Sequence, residues 1–277
     1  MRANYLVAAI VVAALLVGAA VVPDFQKISS ASKSLDGSHV SVKIIKSKSN
    51  PQGVDVAQQS ASLEVPAGSY QQVLKRLERN AQLGDSRAAL GIYLKANACV
   101  QAMSSELTDD EIRAYASVGI KPEAVESSIS KVLADCKDAN PESLSKRGEW
   151  LRQAARDGNI EAQLLFATDP QAVVGDARDM LRDPGSVAKY KLEAVKYLSG
   201  SAAAGNVDAM ARLGAIYRDG ILARRDIPTS YSYYRAAENV SPGLYGDVLA
   251  QMKAQMTADE VLRGEKNANS MSFRCCS

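Results

Sequence analysis

Apolar and polar positions divide the chain into three stretches. Residues 5–22 read YLVAAIVVAALLVGAAVV, with no charged or strongly polar side chain. As a helix this stretch would be ~27 Å long, just short of a bilayer core. Only Arg2 and the amino terminus precede it, and Pro23 ends it, so it reads as a secretory signal or an uncleaved anchor. From Lys27 to Ser62 the pattern is polar, with ten serines and five lysines against two acids. Such a composition buries too little to fold alone and reads as a tether. Within it only Val40 to Ile44 alternates as a half-buried strand would.

Beyond Tyr70 the apolar positions fall at helical spacing: Val73, Leu74, Leu77 and Ala81, then Ala88, Ala89, Ile92 and Tyr93. Gly84-Asp85 separates the two runs. Thr108 with Glu111 three residues on is a capping box, which opens a helix holding Ile112, Tyr115 and Val118 and ending at Gly119. Pro122 suits the first turn of another helix, running through Val125, Ile129, Val132 and Leu133 to Cys136. Asn140-Pro141 starts a helix leading to Trp150.

The helical part repeats itself. Segments 76–93, 150–167 and 197–217 align on Gly84, Gly158 and Gly205, each followed by Asp85, Asn159 or Asn206. Four residues after each glycine stands Ala88, Ala162 or Ala209; eight after it stands Ile92, Phe166 or Leu213. Eight before it, the second and third segments carry Trp150 and Tyr197. This spacing has a physical reading. A glycine takes the left-handed position ending one helix, Asn or Asp caps the next, and the alanine lets the two helices approach closely. One such pair cannot bury its apolar faces alone, so copies must stack.

The stretch AAAGNVDAMARLGAIYRDG, residues 202–220, resembles the Sel-like repeat, a relative of the tetratricopeptide repeat. The matching residues are Gly205, Asn206, Ala209, Leu213, Gly214, Tyr217 and Gly220. Trp150 with Ala154, Ala155 and Gly158 resembles the first helix of that repeat, and Tyr234-Arg235-Ala236-Ala237 is a weaker echo. Leu90-Gly91 and Tyr93 stand two residues early in the first unit, and Pro170 replaces the tyrosine in the second. The anchor glycines lie 74 and 47 residues apart, wider than the family period, so insertions near 99–136 and 169–189 are expected. The resemblance implies an all-α solenoid of antiparallel helix pairs and adaptor or scaffold work in bacterial envelopes and signalling assemblies.

Composition adds exclusions. The 43 alanines and 5% aromatic content fit closely packed helices better than a β-sandwich. A net charge of +2 gives no footprint for nucleic acid. The single histidine, His39, lies in the tether, which rules out a multi-histidine metal site and leaves the helical part without a histidine base. No nucleotide-binding or hydrolase motif is present. Asp109, Asp110 and Glu111 read as a cap. Asp176, Asp179 and Asp183, interleaved with Arg178 and Arg182, read as a solvated helix face. Of four cysteines, Cys99 and Cys136 form either a disulfide across the first insertion or two buried thiols; adjacent Cys275 and Cys276 are poorly placed to bridge each other.

The chain is therefore expected to divide as follows. Residues 1–22 are a signal peptide or membrane anchor, 23–69 a flexible Ser/Lys-rich linker, 70–262 a helical repeat domain, and 263–277 a flexible C-terminal tail. The expected function is a non-catalytic scaffold of the cell envelope, exported and periplasmic, binding a protein partner in a groove. The membrane would be engaged through residues 5–22 if they are retained. No cofactor, metal or nucleic acid is expected. Tyr231, Arg224 and Arg225 are the candidate partner contacts. The competing expectations are an envelope carbohydrate or peptidoglycan-associated protein, and a β-lactamase-like hydrolase, as some cysteine-rich Sel-like relatives are.

Overall fold

The computed structural model describes residues 63–104 and 108–271. The export segment, the strand expected at 40–44, His39, Cys275 and Cys276 lie outside the described residues. Among the described residues every regular element is a helix, and none is long and apolar enough to cross a membrane.

In chain order, α1 (Tyr70–Gln82) and α2 (Ser86–Ser104) make the first repeat unit. Then come α3 (Asp109–Ser117), α4 (Pro122–Cys136) and the short α5 (Pro141–Ser145). Helices α6 (Arg147–Arg156) and α7 (Ile160–Phe166) are the second unit. Short α8 (Pro170–Val174) and α9 (Ala177–Arg182) follow. Helices α10 (Pro184–Ala203) and α11 (Val207–Asp219) are the third unit. The chain closes with α12 (Ile227–Val240), α13 (Gly246–Lys253) and α14 (Ala258–Ser270).

The same device turns the chain in all three units. Gly84, Gly158 and Gly205 have φ of 95°, 87° and 91°, a region in which a side chain is strained. The next residue caps the following helix. The Ala88 amide donates to Asp85 Oδ1 (3.1 Å), the Ala162 amide to Asn159 Oδ1 (2.8 Å) and the Ala209 amide to Asn206 Oδ1 (2.8 Å). The repeated alanine thus satisfies the cap with its backbone while its methyl group is buried. Ala88, Ala162 and Ala209 are buried, as are Ile92, Phe166 and Leu213 one turn further on.

Packing passes from helix to helix along the chain: α1 on α2, α2 on α6, α6 on α7, α7 on α10, α10 on α11, and α11 on α12. The buried residues follow suit. One cluster holds Ala81, Ile92, Tyr93, Leu151, Ala155, Phe166 and Tyr190, and the next holds Leu198, Ala209, Met210, Leu213, Ala236 and Ala237. Polar side chains tie successive units through backbone carbonyls. Gln153 donates to the Ala81 carbonyl of α1, the Tyr190 hydroxyl to the Phe166 carbonyl (3.0 Å), and Ser230 Oγ to the Gly214 carbonyl (2.6 Å). Such bonds satisfy polar side chains that would otherwise be left unpaired where the units meet.

Between the first two units, α3 and α4 form an excursion that returns to α2. Thr108 and Glu111 make the capping box of α3, and Pro122 is the first residue of α4. Helix α4 is pinned to α2 twice. Cys99 and Cys136 form a disulfide with Cα atoms 5.5 Å apart. One turn earlier on α2, the Lys95 ammonium, only 3% exposed, donates to Asp135 Oδ2 at 2.7 Å. The helix begun by Asn140 and Pro141 does not run on to Trp150; it stops at Lys146, and α6 begins anew.

Two further expectations about the helices fail in the described residues. The C-terminal segment from residue 263 is not a flexible tail through residue 270, because α14 extends to Ser270 and packs on α12. Its buried face consists of Gly264 and Ala268, which give almost no hydrophobic signal. Gly264 is required there: a Cβ would come within 2.5 Å of the Tyr231 ring. The aspartates of 176–183 do not share a helix face either. Asp176 caps α9, with Asp179 completing the box, and Asp183 caps α10.

Helix α14 is also held electrostatically. Glu265 accepts from the Tyr231 hydroxyl (2.5 Å) and from Arg235 Nε (3.0 Å), and Lys253 Nζ lies 3.3 Å away. Burial pushes the Glu265 carboxyl upward, but the Tyr231 hydroxyl and the two cations outweigh it, so it titrates below an ordinary glutamate.

Two predictions follow from these ties. Replacing Cys99 and Cys136 together by alanine opens a loop with a sequence separation of 37. The change should lower stability by about 3–4 kcal/mol, read from urea unfolding of the oxidised protein. A loss under about 1 kcal/mol means that α4 docks without the bridge. For Glu265, a depressed folded-state pKa contributes stability above the unfolded value of about 4.3, lost as pH falls through the folded value. Glu265→Gln should therefore cost about 1 kcal/mol near pH 7, and the difference from wild type should vanish near pH 3. A difference that stays constant with pH contradicts an ionised Glu265 latch.

Candidate functional site

Two open clefts lie at the first helices of the repeat units. The smaller, about 220 Å³, lies between α1 and α6. Tyr70, Leu74 and Glu78 line it from one side of α1, at four-residue spacing that puts all three on one stripe. Asn140, Glu142 and Ser143 come from the start of α5, with Lys146 and Trp150 beyond them. Lys146 Nζ donates to Glu142 Oε1 at 3.0 Å, and this bond, with the charge of Glu142, holds the ammonium above its ordinary range. The Tyr70 and Ser143 hydroxyls are hydrogen-bonded to each other. Ser69 Oγ, at the head of α1, donates to Asp138 Oδ2 at 2.6 Å. The wall of this cleft is thus the segment that follows Cys136, and the disulfide anchors it.

The larger cleft, about 390 Å³, lies between α6 and α10, with α8 and α9 along its edge. Arg152 of α6, Ser186 and Lys189 of α10, Val173, Val174, Asp179, Arg182 and Asp183 line it. Arg152 spans the gap: its Nε donates to Glu193 Oε2 of α10 at 3.2 Å, and its guanidinium lies 5.9 Å from the Phe166 ring centroid. The two aspartates are engaged locally. Asp179 completes the α9 cap and pairs with Arg182 at 3.3 Å, and Asp183 accepts from Ser186. Bonds from Ser186 hold Asp183 below the usual carboxylate range. Lys189 has no ion-pair partner within 4.0 Å among the described residues.

Helix α6 stands between the clefts. Trp150 faces one and Arg152 the other; two residues apart, they lie on opposite flanks of the helix. Leu151, Ala154 and Ala155 are buried, and the opposite ridge exposes Glu149 and Arg156.

The other residues singled out by sequence lie elsewhere. Tyr197 packs edge-on against Phe166, with centroids 5.2 Å apart. Tyr217 stacks on Tyr233 at 5.8 Å. Gly214 lets Tyr234 approach; a Cβ there would meet the ring at 2.8 Å. Gly220 ends α11 in the left-handed conformation. Tyr231, expected as a partner contact, is fully buried, with its ring against Gly264 and under Lys253. It belongs to the lock on α14. Arg224 and Arg225 are exposed in the loop between α11 and α12. None of these three lines either cleft. Sequence reading missed Arg152, Lys189, Tyr70 and Glu78 as cleft residues. Their available signal was position: each stands on a first helix, Tyr70 within the buried stripe and the other three beside it.

Between Tyr93 and α8 there is a polar pair of structural character. The Tyr93 hydroxyl donates to Asp169 Oδ2 at 2.7 Å, and Asp169 caps α8. Burial first, and the Asp169 carboxylate second, push the Tyr93 phenol far up, so it stays protonated. Among the described residues no three His, Cys, Asp or Glu side chains converge as metal ligands. The chain matches no family model, no curated protein and no solved structure.

Arg152 is the side chain whose loss should be felt most at this site. Arg152→Ala removes both the tie to Glu193 and the contact with Phe166, and should cost about 1–2 kcal/mol. Arg182→Ala, at an arginine 77% exposed, should change stability by less than about 0.5 kcal/mol. Equal effects in chemical unfolding would mean that Arg152 does not brace α6 against α10.

Proposed function

We propose that the chain is a non-catalytic scaffold that binds a protein partner along the first helices of a solenoid of antiparallel helix pairs. The observation that carries this reading is the position of the two clefts. Both open between first helices of successive repeat units, α1 with α6 and α6 with α10. A partner lying across α6 would reach both. The resemblance of residues 202–220 to the Sel-like repeat supports the same architecture, as does a core passed from each helix to the next. Export to an oxidising compartment fits a disulfide that pins the wall of the first cleft. A periplasmic location, with residues 5–22 as signal or tether, belongs to this proposal.

Site-specific photocrosslinking in the native envelope tests it. A photoreactive residue at position 149, on the exposed ridge between the clefts, should yield a discrete adduct. The same residue at position 208, exposed on second helix α11, should not. Adducts only from 208, or turnover of a chromogenic β-lactam by the purified chain with no adduct at all, would overturn the scaffold reading.

A further inference from the structure

The charge of the repeat units is not spread evenly. Helix α1 carries Lys75, Arg76 and Arg79 against Glu78. Helix α6 carries Arg147, Arg152 and Arg156 against Glu149. Helix α10 carries Lys189, Lys191 and Lys196 against Glu193. Each first helix therefore holds three cations and one acid. The second helices do not share this bias: α2, α7 and α11 together hold Arg87, Lys95, Arg212 and Arg218 against Glu161, Asp208 and Asp219. First helices thus carry a surplus of six positive charges, in a chain whose net charge is only +2.

The surplus faces solvent beside the clefts. Lys75, Arg79, Arg156, Lys189 and Lys196 are all exposed. Lys75 and Arg79 form the row next to Leu74 and Glu78, which line the first cleft. Lys189 lines the second, and Lys196, seven residues on, lies on the same stripe of α10. The acids offset part of this: Arg156 pairs with Asp157 at 3.4 Å, which leaves Lys75, Arg79, Lys189 and Lys196 as the exposed cations with no ion pair among the described residues. Glu193 is tied to Arg152, and Asp179 and Asp183 are held in helix caps. A basic ridge with polar and aromatic indentations is complementary to an extended chain of carboxylates, which would draw on all three helices at once.

We infer that the first-helix face of this protein docks an acidic polypeptide segment, rich in Glu and Asp and bound in extended form across α1, α6 and α10. The inference rests on the groove reading proposed above and names the chemistry of its partner. Lys75 and Arg79 hold one end of the segment, Lys189 and Lys196 the other, and Arg156 lies between. Leu192, 74% exposed on the same side of α10, offers an apolar contact between the two lysines.

The test uses the full chain and a fluorescently labelled ten-residue polyglutamate peptide, read by anisotropy. The peptide should bind, weaken with added salt, and outcompete a polylysine peptide of equal length. Lys189→Glu with Lys196→Glu, and separately Lys75→Glu with Arg79→Glu, should each weaken binding by about tenfold or more. Arg87→Glu with Lys266→Glu, exposed cations off this face, should leave it unchanged, with folding of every variant checked by circular dichroism. Absence of binding, or equal loss in the off-face variant, overturns the inference. So does tighter binding of anionic lipid vesicles or single-stranded DNA than of the peptide. A partner crosslinked from position 149 that is still captured by the Lys189→Glu, Lys196→Glu protein leaves the groove reading standing and removes the acidic-segment inference. Without any crosslinked partner it is the groove reading that fails.

Discussion

The distance at which two helices can cross governs this molecule. Where a unit turns, the first residue of the next helix follows a glycine at positive φ and a capping Asp or Asn. Four residues after the glycine, each unit buries a methyl group and nothing larger. A bigger side chain at Ala88, Ala162 or Ala209, all buried, would force the pair apart, and overpacking of that kind is itself destabilising. The close crossing in turn decides where the large residues go. Ile92, Phe166 and Leu213 stand one turn beyond it and are fully buried. Tyr190 and Tyr197 close on Phe166 from the next unit, at 5.3 and 5.2 Å. Each pair is thereby incomplete until its neighbour arrives, and the clefts are the parts of that neighbouring contact that remain unfilled.

This explains what could be read from the residues alone. Turn glycines, caps and crossing alanines are local, and their physics is complete within a few positions, so they are legible. Contacts made by small or polar residues over long separations are not. Helix α14 docks through Gly264 and Ala268 and through Glu265; its composition resembles that of a tail because the apolar side of the contact belongs to Tyr231. Tyr231 looked available for a partner for the same reason, since a tyrosine carries no mark of which surface will cover it. The aspartates of 176–183 illustrate the opposite error. Their three- and four-residue spacing suggests a single helix face, yet Pro184 directly after Asp183 starts a fresh helix, and caps occupy two of the three positions.

The excursion between the first two units shows how an insertion can serve a surface without joining the repeat. Helices α3 and α4 leave α2 and return to it, and two cross-links one turn apart on α2 fix the return. Cys136 is the last residue of α4. The segment after it supplies Asp138 to the head of α1, and Asn140, Glu142 and Ser143 to the first cleft. A covalent anchor is well suited to this place. The segment from Lys137 to Lys146 is short and polar, and Leu144 is its one buried hydrophobic side chain. Hydrophobic burial of one leucine, roughly 1.5–3 kcal/mol, would scarcely offset the ordering of ten residues at about 1–2 kcal/mol each.

The charge on the first helices completes the argument from packing to surface. The second helices of the three units are close to charge-balanced, with four cations against three acids. Lys95, one of those cations, is buried on α2 and needs Asp135 as a partner. First helices retain an open face, where unpaired cations are tolerated by solvent. That tolerance permits basic residues but does not select their sign. Acids would be equally well solvated, yet each first helix carries one acid against three cations. Like charges on adjacent helices repel, so a consistent sign works slightly against folding. An opposing charge brought by a partner reverses that penalty, and it does so only where the cations lie beside clefts that can receive the chain bearing it.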